Sequence, residues 1–177
     1  MKIMLDPGHS GKIEPGACAN GLCEADITLS VARKLRDKLS DHEIMLTRDG
    51  DVDNDYLTWR AEMANDWGAD IFVSIHCNAF ADPSAHGVEV WKARNRSANS
   101  DILAADILNR LVTNMDLANR GVKQENFTVL TATDMPAVLV ELAFITNPVE
   151  AGMLLNQQDD FAQALYDGII DFAEGNE

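Results

Sequence analysis

Basic residues are scarce in this chain: 14 Lys and Arg stand against 29 Asp and Glu over 177 residues, a formal net charge of −15. That balance argues against nucleic acid, because displacing the counterions of a polyphosphate needs a basic surface. It gives no help in adhering to an anionic wall or membrane either. Any surface anchoring is therefore expected from a separate module, and function from a local site. Long apolar runs are missing too; none approaches the roughly 20 residues needed to cross a bilayer, so membrane insertion is not expected. The start, Met1 to Asp6, reaches an acidic side chain too soon for a secretory signal, which points to another export route or to a mature or excised domain. There is no internal repeat and no low-complexity tract. Cysteine is sparse, at Cys18, Cys23 and Cys77. An odd count does not suggest a disulfide scaffold. Cys18 and Cys23 are near enough in sequence to be bridged if the loop meets the demanding geometry. A cysteine-based zinc site needs more thiolates or finger-spaced His partners, and Cys77 is expected to be buried as a small apolar residue.

What is present suits one domain over residues 1–177, with a linker able to start at about 174. Short apolar runs alternate with amphipathic stretches, which predicts an α/β layer fold. Strands are expected at 2–5, 43–47, 71–75, 87–91, 127–130 and 137–140. Helices are expected at 24–39, with Ile27, Val31, Leu35 and Leu39 on one face, and around Leu57, Ala61, Ala64 and Trp67, ended by Gly68. Two more follow at 98–117, burying Leu103, Ile107, Leu111 and Met115, and at 159–173, burying Phe161, Leu165, Ile169 and Phe172.

Three expected strands end on polar residues. Ile3-Met4-Leu5 runs into Asp6-Pro7-Gly8-His9, 71–75 into His76, and 137–140 into Glu141. In open α/β sheets ligands bind beyond the carboxyl ends of strands, so these groups can share one crevice. Glu24 opens the first helix after a Gly-containing loop. Two His and a carboxylate on separate rigid elements can form a catalytic zinc site with an open position, leaving Glu141 free as a base. Plainer readings compete. A lone His after a strand is more often a hydrogen-bonded structural residue, Asp6-Pro7-Gly8 is a turn in its own right, and the helix macrodipole accounts for Glu24. Glu141 resists such a reading, since a carboxylate between Ala-Val-Leu-Val and Leu-Ala-Phe-Ile is costly unless paired or facing a polar cleft. His42 and His86 read as solvated surface residues.

At these positions the sequence resembles the zinc-dependent N-acetylmuramoyl-L-alanine amidases, of the autolysin and endolysin type. The resemblance covers nearly the whole chain: LDPGHSG at 5–11, EADITLSVARKL at 24–35, Thr47-Arg48, the helix with Arg60 and Ala64-Asn65, GADIFVSIHCNA at 68–79, HGVEVW at 86–91, RGVKQ at 120–124, FTVL at 127–130 and MPAVLVELAFITNP at 135–148. Each is weak alone; in order and at these separations they are strong. The resemblance implies a mostly parallel sheet of about six strands with helices on both faces. It implies one Zn2+ held by His9, Glu24 and His76, with Glu141 as general base and acid, and hydrolysis of the bond between N-acetylmuramic acid and L-alanine in peptidoglycan. Asp6 could then orient His9, while Asn78 and Arg60 are candidates for substrate or site-support roles. The place of action is the bacterial cell wall, reached by export or by release from the cytoplasm if the source is a phage. Ser10, Ala143 and Thr131 depart from the common family residues; the last bears on substrate preference. Residues 92–100 are too few for the inhibitory helix of division-type members, so an unguarded site is expected. The rivals are a zinc exopeptidase and a wall-binding domain of the same fold without hydrolysis.

Overall fold

The computed structural model describes residues 1–53, 56–94 and 97–175. Along the chain run β1 (Lys2–Pro7), a short hairpin of β2 (Cys18–Ala19) and β3 (Leu22–Cys23), α1 (Glu24–Lys38), β4 (Glu43–Leu46), α2 (Leu57–Trp67), β5 (Ile71–Asn78) and β6 (Val88–Lys92). Then come α3 (Ala98–Met115), β7 (Asn119–Gln124), α4 (Thr128–Thr131), β8 (Ala137–Phe144), α5 (Pro148–Asn156) and α6 (Gln158–Gly175). The six-stranded sheet has the order β4-β1-β5-β8-β6-β7. β4, β1, β5 and β8 are parallel; β6 pairs antiparallel with β8, and β7 runs parallel to β6. The expected mostly parallel sheet with helices on both faces is thus observed.

Strand periodicity divides the core into two unequal halves, because alternate side chains leave opposite faces. Ile3, Leu5, Val73, Ile75, Val138, Val140 and Val90 point to one face, where α1, α3 and α6 cover them with Val31, Leu35, Leu103, Ile107, Leu165 and Ile169. The expected apolar stripes of these three helices are all buried. Met4, Phe72, Ala137 and Leu139 point the other way, toward a smaller cluster with Ala64 of α2 and Val129 and Leu130 of α4.

Several boundaries differ from expectation. Of residues 127–130, expected as a strand, Phe127 caps and the rest begin the helical turn α4. Asn119–Gln124 takes the sheet edge instead, and the next segment folds over the small face to bury Val129 and Leu130, so packing overrides β-propensity. Leu57 is exposed, not inward; the inner stripe of α2 is Arg60, Ala61 and Ala64. Gly68 does end that helix, in the left-handed region at φ 70°. β5 and β8 continue past residues 75 and 140, so His76 and Glu141 lie within strands. α6 extends to Gly175, which places Glu174 in a helix; Asn176 and Glu177 lie outside the described residues.

Cys18 and Cys23 form a disulfide. Asn20 and Gly21, both at positive φ, make the two-residue turn that sets the cysteines opposite each other in the hairpin. The bridge closes the loop directly before Glu24. Cys77 is free and buried, as expected.

α3 and α6 approach at Gly168, where an added Cβ would lie 2.6 Å from Ile107 Cα and 2.9 Å from its nitrogen. Gly168→Ala should lower stability by about 1–2 kcal/mol, the overpacking cost exceeding the gain in helix propensity. Urea denaturation checks this; an unchanged midpoint would mean the helices can part.

Candidate metal centre

Register places a polar row on the small face of the sheet. Asp6 pairs with Ser74 across β1 and β5, and His76 with Glu141 across β5 and β8; Glu89 of β6 follows beside Glu141. These groups lie beyond the apolar cluster, where α2 and α4 border a cleft of about 470 Å³. Asp6, His9, Glu14, Arg60, His76, Phe127 and Glu141 line it.

The turn after β1 is held by two buried arginines. Arg60 donates from Nη1 to Pro7 O at 2.9 Å and from Nη2 to His9 O at 2.6 Å. Arg48 donates from Nε to Pro7 O at 3.0 Å and from Nη2 to Gly8 O at 2.8 Å. Three successive carbonyls thereby converge on guanidinium groups. They hold His9 at φ 65°, a left-handed conformation uncommon for a side-chain-bearing residue. Asp6 does not touch the His9 ring. Its Oδ1 accepts from Arg60 Nη1 and Thr47 Oγ1, and its Oδ2 from Ser74 Oγ, each at 2.6 Å. Burial opposes its charge, but Arg60 and the two hydroxyls hold its pKa below the ordinary value. Asp6 thus anchors Arg60, and Arg60 anchors the turn.

Glu24 enters from the first turn of α1, a favourable place for an anion. Its Oε2 lies 2.9 Å from His9 Nε2, and its Oε1 2.9 Å from His76 Nδ1. The backbone N–H groups of Ala17 and Cys77 also donate to it. The outer nitrogen of His9, Nδ1, donates to Glu14 Oε2 at 2.5 Å. The two rings meet edge to face at 5.1 Å. Two glycines permit this crowding. A Cβ on Gly8 would meet the His76 ring at 2.4 Å, and one on Gly16 the His9 ring at 2.5 Å.

The electrostatics follow. For His9, burial opposes the charged ring, yet the Glu24 and Glu14 carboxylates raise its pKa to about 9. His76 is raised as well, burial again being outweighed by its bond to Glu24. Glu24 is buried, which disfavours its charge, but the two imidazoles hold it well below the usual carboxylate range. One potential ligand atom each from His9, Glu24 and His76 lies within 4.8 Å of the others. Two nitrogens and one carboxylate oxygen on separate elements, bordering an open cleft, suit a catalytic zinc ion. The Glu14 contact fixes the His9 tautomer as a carboxylate behind a metal-bound imidazole does. The residues fit a cation.

Glu141 stands beside this set and outside it. Its Oε2 is buried and has no hydrogen-bond partner among the described residues. Burial raises its pKa to about 7; His76 opposes the rise, while Glu24 and Glu89 add to it. Asn78, two residues past His76 on β5, donates to Glu89 Oε1 at 2.8 Å. The structure therefore brings His9, Glu24, His76 and Glu141 together, with Asp6 and Arg60 behind them and Asn78 to one side. Glu14, Glu89 and the role of Arg48 escaped sequence reasoning. Glu14 sits in an aperiodic loop that carries no signal. Glu89, a carboxylate inside Val-Glu-Val, had the same signal as Glu141.

The family described as N-acetylmuramoyl-L-alanine amidase matches residues 3–171. The chain is 37% identical over 174 residues to N-acetylmuramoyl-L-alanine amidase LytC of Bacillus subtilis, covering 96% of this chain and 35% of that protein. It is 36% identical over 174 residues to an endolysin of Bacillus phage SPP1, covering 94% of this chain and 62% of the endolysin. The chain thus spans about a third of the first relative and under two thirds of the second. Among solved structures, an N-acetylmuramoyl-L-alanine amidase from Clostridium difficile 630 superposes with a TM-score of 0.93 at 32% identity, covering 99% of this chain and 98% of that one. The catalytic domain of CwlV from Paenibacillus polymyxa superposes with a TM-score of 0.90 at 29% identity, covering 98% of each chain.

In metal-free protein, charged His9 contributes stability that is complete below its unfolded pKa of 6.5 and lost as pH rises through about 9. Urea midpoints measured without metal should fall across that interval, and Glu24→Gln should flatten the fall. A midpoint that climbs instead would contradict the ion pairing.

Proposed function

The chain belongs to the N-acetylmuramoyl-L-alanine amidase family, and from that premise we propose that it hydrolyses the amide between N-acetylmuramic acid and L-alanine in peptidoglycan, using one Zn2+. The observation that carries this reading is Glu141: a half-buried carboxylate with one buried oxygen that has no hydrogen-bond partner among the described residues, directly beside three side chains able to hold a cation.

His9, Glu24 and His76 are the residues that would hold the ion. When bound, zinc supplies a Lewis acid that polarises a carbonyl and acidifies water. Glu141 accepts the proton of the attacking water at Oε2 as the lactyl carbonyl is attacked. With a pKa near neutrality, it holds that proton through the tetrahedral stage and returns it to the nitrogen of L-alanine as the C–N bond breaks. The amine leaves only when protonated, so the same carboxyl serves as base and then acid. Arg48 and Arg60 keep the His9 turn in place, and Glu14 keeps the ring in one tautomer. Phe127, half exposed, and Leu139 give the cleft an apolar wall against which substrate can be dried.

The site is open. Residues 93–97 alone join β6 to α3, too few for a covering helix. No helix among the described residues is long and apolar enough to cross a membrane. The charge of −15 supports adhesion to an anionic wall by a separate module rather than by this surface.

Digestion of purified peptidoglycan with metal-stripped and zinc-restored protein tests the reaction. Restored protein should expose free L-alanine amino termini without new reducing sugar; release of free amino acids would mark an exopeptidase instead. Glu141→Gln should keep its zinc by elemental analysis and lose about 10²–10⁴-fold in turnover. The acid limb of kcat/KM should lie near pH 7, the value burial gives Glu141. His9→Ala and His76→Ala should lower metal content, and unchanged zinc would remove them from the ligand set.

A further inference from the structure

The charge next to the cleft runs opposite to that of the whole chain. Glu89 is buried and lies across the β6–β8 pair from Glu141. Its Oε1 accepts from Asn78 Nδ2 at 2.8 Å and Trp91 Nε1 at 3.2 Å. Its Oε2 accepts from Arg120 Nε at 2.7 Å and Lys123 Nζ at 2.5 Å. One carboxylate thus faces two cations, an excess of one positive charge over Glu89 itself, in a chain of net charge −15.

Both cations retain donors and access to solvent. The Arg120 and Lys123 side chains are 36% and 32% exposed, whereas Glu89 is 4% exposed. Arg120 uses Nε for Glu89 and Nη1 for His86 O, and Nη2 has no hydrogen-bond partner among the described residues. Lys123 Nζ lies 5.2 Å from the Trp91 ring centroid, and the Arg120 guanidinium 4.8 Å from that of Phe144. Trp91 in turn meets Phe127, which lines the cleft. Glu89 and two aromatic rings therefore fix a pair of cations at the border of the site.

We propose that Arg120 and Lys123 form a subsite for a free carboxylate of the stem peptide, on the leaving-group side of the scissile amide. The inference rests on the amidase reading above. The muramic acid's own carboxyl is tied up in the amide, so the free carboxylates of the substrate lie along the stem. β7 stands two strand spacings from β8, about 10 Å, and an extended peptide covers that span in about three residues. The carboxylates of the second and third stem residues come within this reach. A guanidinium with a spare donor and an ammonium together make charge-assisted bonds to such a group, which an amide in its place forfeits.

The test uses zinc-loaded protein and muramyl tripeptides with L-alanine, γ-linked D-glutamate and L-lysine in three forms: only the second-residue carboxylate free, only the third-residue carboxylate free, or both amidated. The doubly amidated substrate should show KM raised about tenfold with kcat nearly unchanged, as expected for lost ground-state binding. Low KM kept by only one of the other two identifies which carboxylate is read. In an Arg120→Gln/Lys123→Gln protein the discrimination should vanish. If that variant does not fold, Lys123→Gln alone, which leaves Arg120 paired with Glu89, should reduce the discrimination to about threefold. Calorimetric binding of the corresponding free tripeptides reads the subsite without turnover. Equal affinity for carboxylate and amide forms would overturn the subsite. Preferential binding with no hydrolysis of any substrate would overturn the reaction and leave the subsite standing.

Discussion

A single carboxylate, Glu24, stands between two imidazoles, and the arrangement of the site depends on it. His9 follows a strand, His76 sits inside another, and Glu24 begins a helix. Bringing three polar side chains into a partly buried space is unfavourable unless each finds a partner. Glu24 satisfies both rings at once, and backbone N–H groups at Ala17 and Cys77 satisfy what is left of it. The consequence is that, without metal, the His9 imidazole holds its proton at neutral pH and that of His76 binds one more tightly than a free ring does, so a divalent cation entering the site displaces a proton rather than only adding charge to an apolar interior.

Behind that contact lies a second, fully buried pairing. Asp6 and Arg60 are each about 1% exposed, in surroundings where an unpaired charge would be strongly destabilising. Their mutual attraction alone does not explain the pair, because hydrophobic residues could fill the same space. What it adds is direction. With Arg48, the pair captures the carbonyls of Pro7, Gly8 and His9 and holds a non-glycine residue in a left-handed conformation. The strain is local, and the hydrogen bonds that sustain it come from distant parts of the chain.

The cleft follows from the unequal covering of the sheet. One face is closed by three long helices, and the other by α2 and the single turn α4. On that second face the outer positions of the strands hold His76, Glu141 and Glu89 in place of apolar residues, so the polar row and the shortness of its cover belong together. Glu89 and Glu141 show how neighbouring carboxylates diverge. Glu89 is saturated by four donors and stays charged, whereas Glu141 keeps a bare oxygen and titrates near neutrality.

Much of this was legible in the chain. The 3.6-residue spacing of Ile27, Val31, Leu35 and Leu39, and of the two later helices, depends only on which face is apolar, and those faces are buried. The polar residues at the ends of apolar runs pointed to His9, His76 and Glu141, because an uncompensated carboxylate or imidazole there demands a reason. Residues 127–130 misled, since Phe-Thr-Val-Leu suits a strand until neighbouring packing decides otherwise. The Asn20-Gly21 turn, and with it the closing of Cys18 on Cys23, was available as a local signal but depended on hairpin register. Sequence by itself determined the elements and the chemistry they carry, because periodicity and the cost of burying charge act locally. Only the tertiary structure decided that Glu14 rather than Asp6 backs His9, that two arginines hold the turn, and that Arg120 and Lys123 share one buried carboxylate. Those contacts join residues set by strand order and helix docking, which no local spacing encodes.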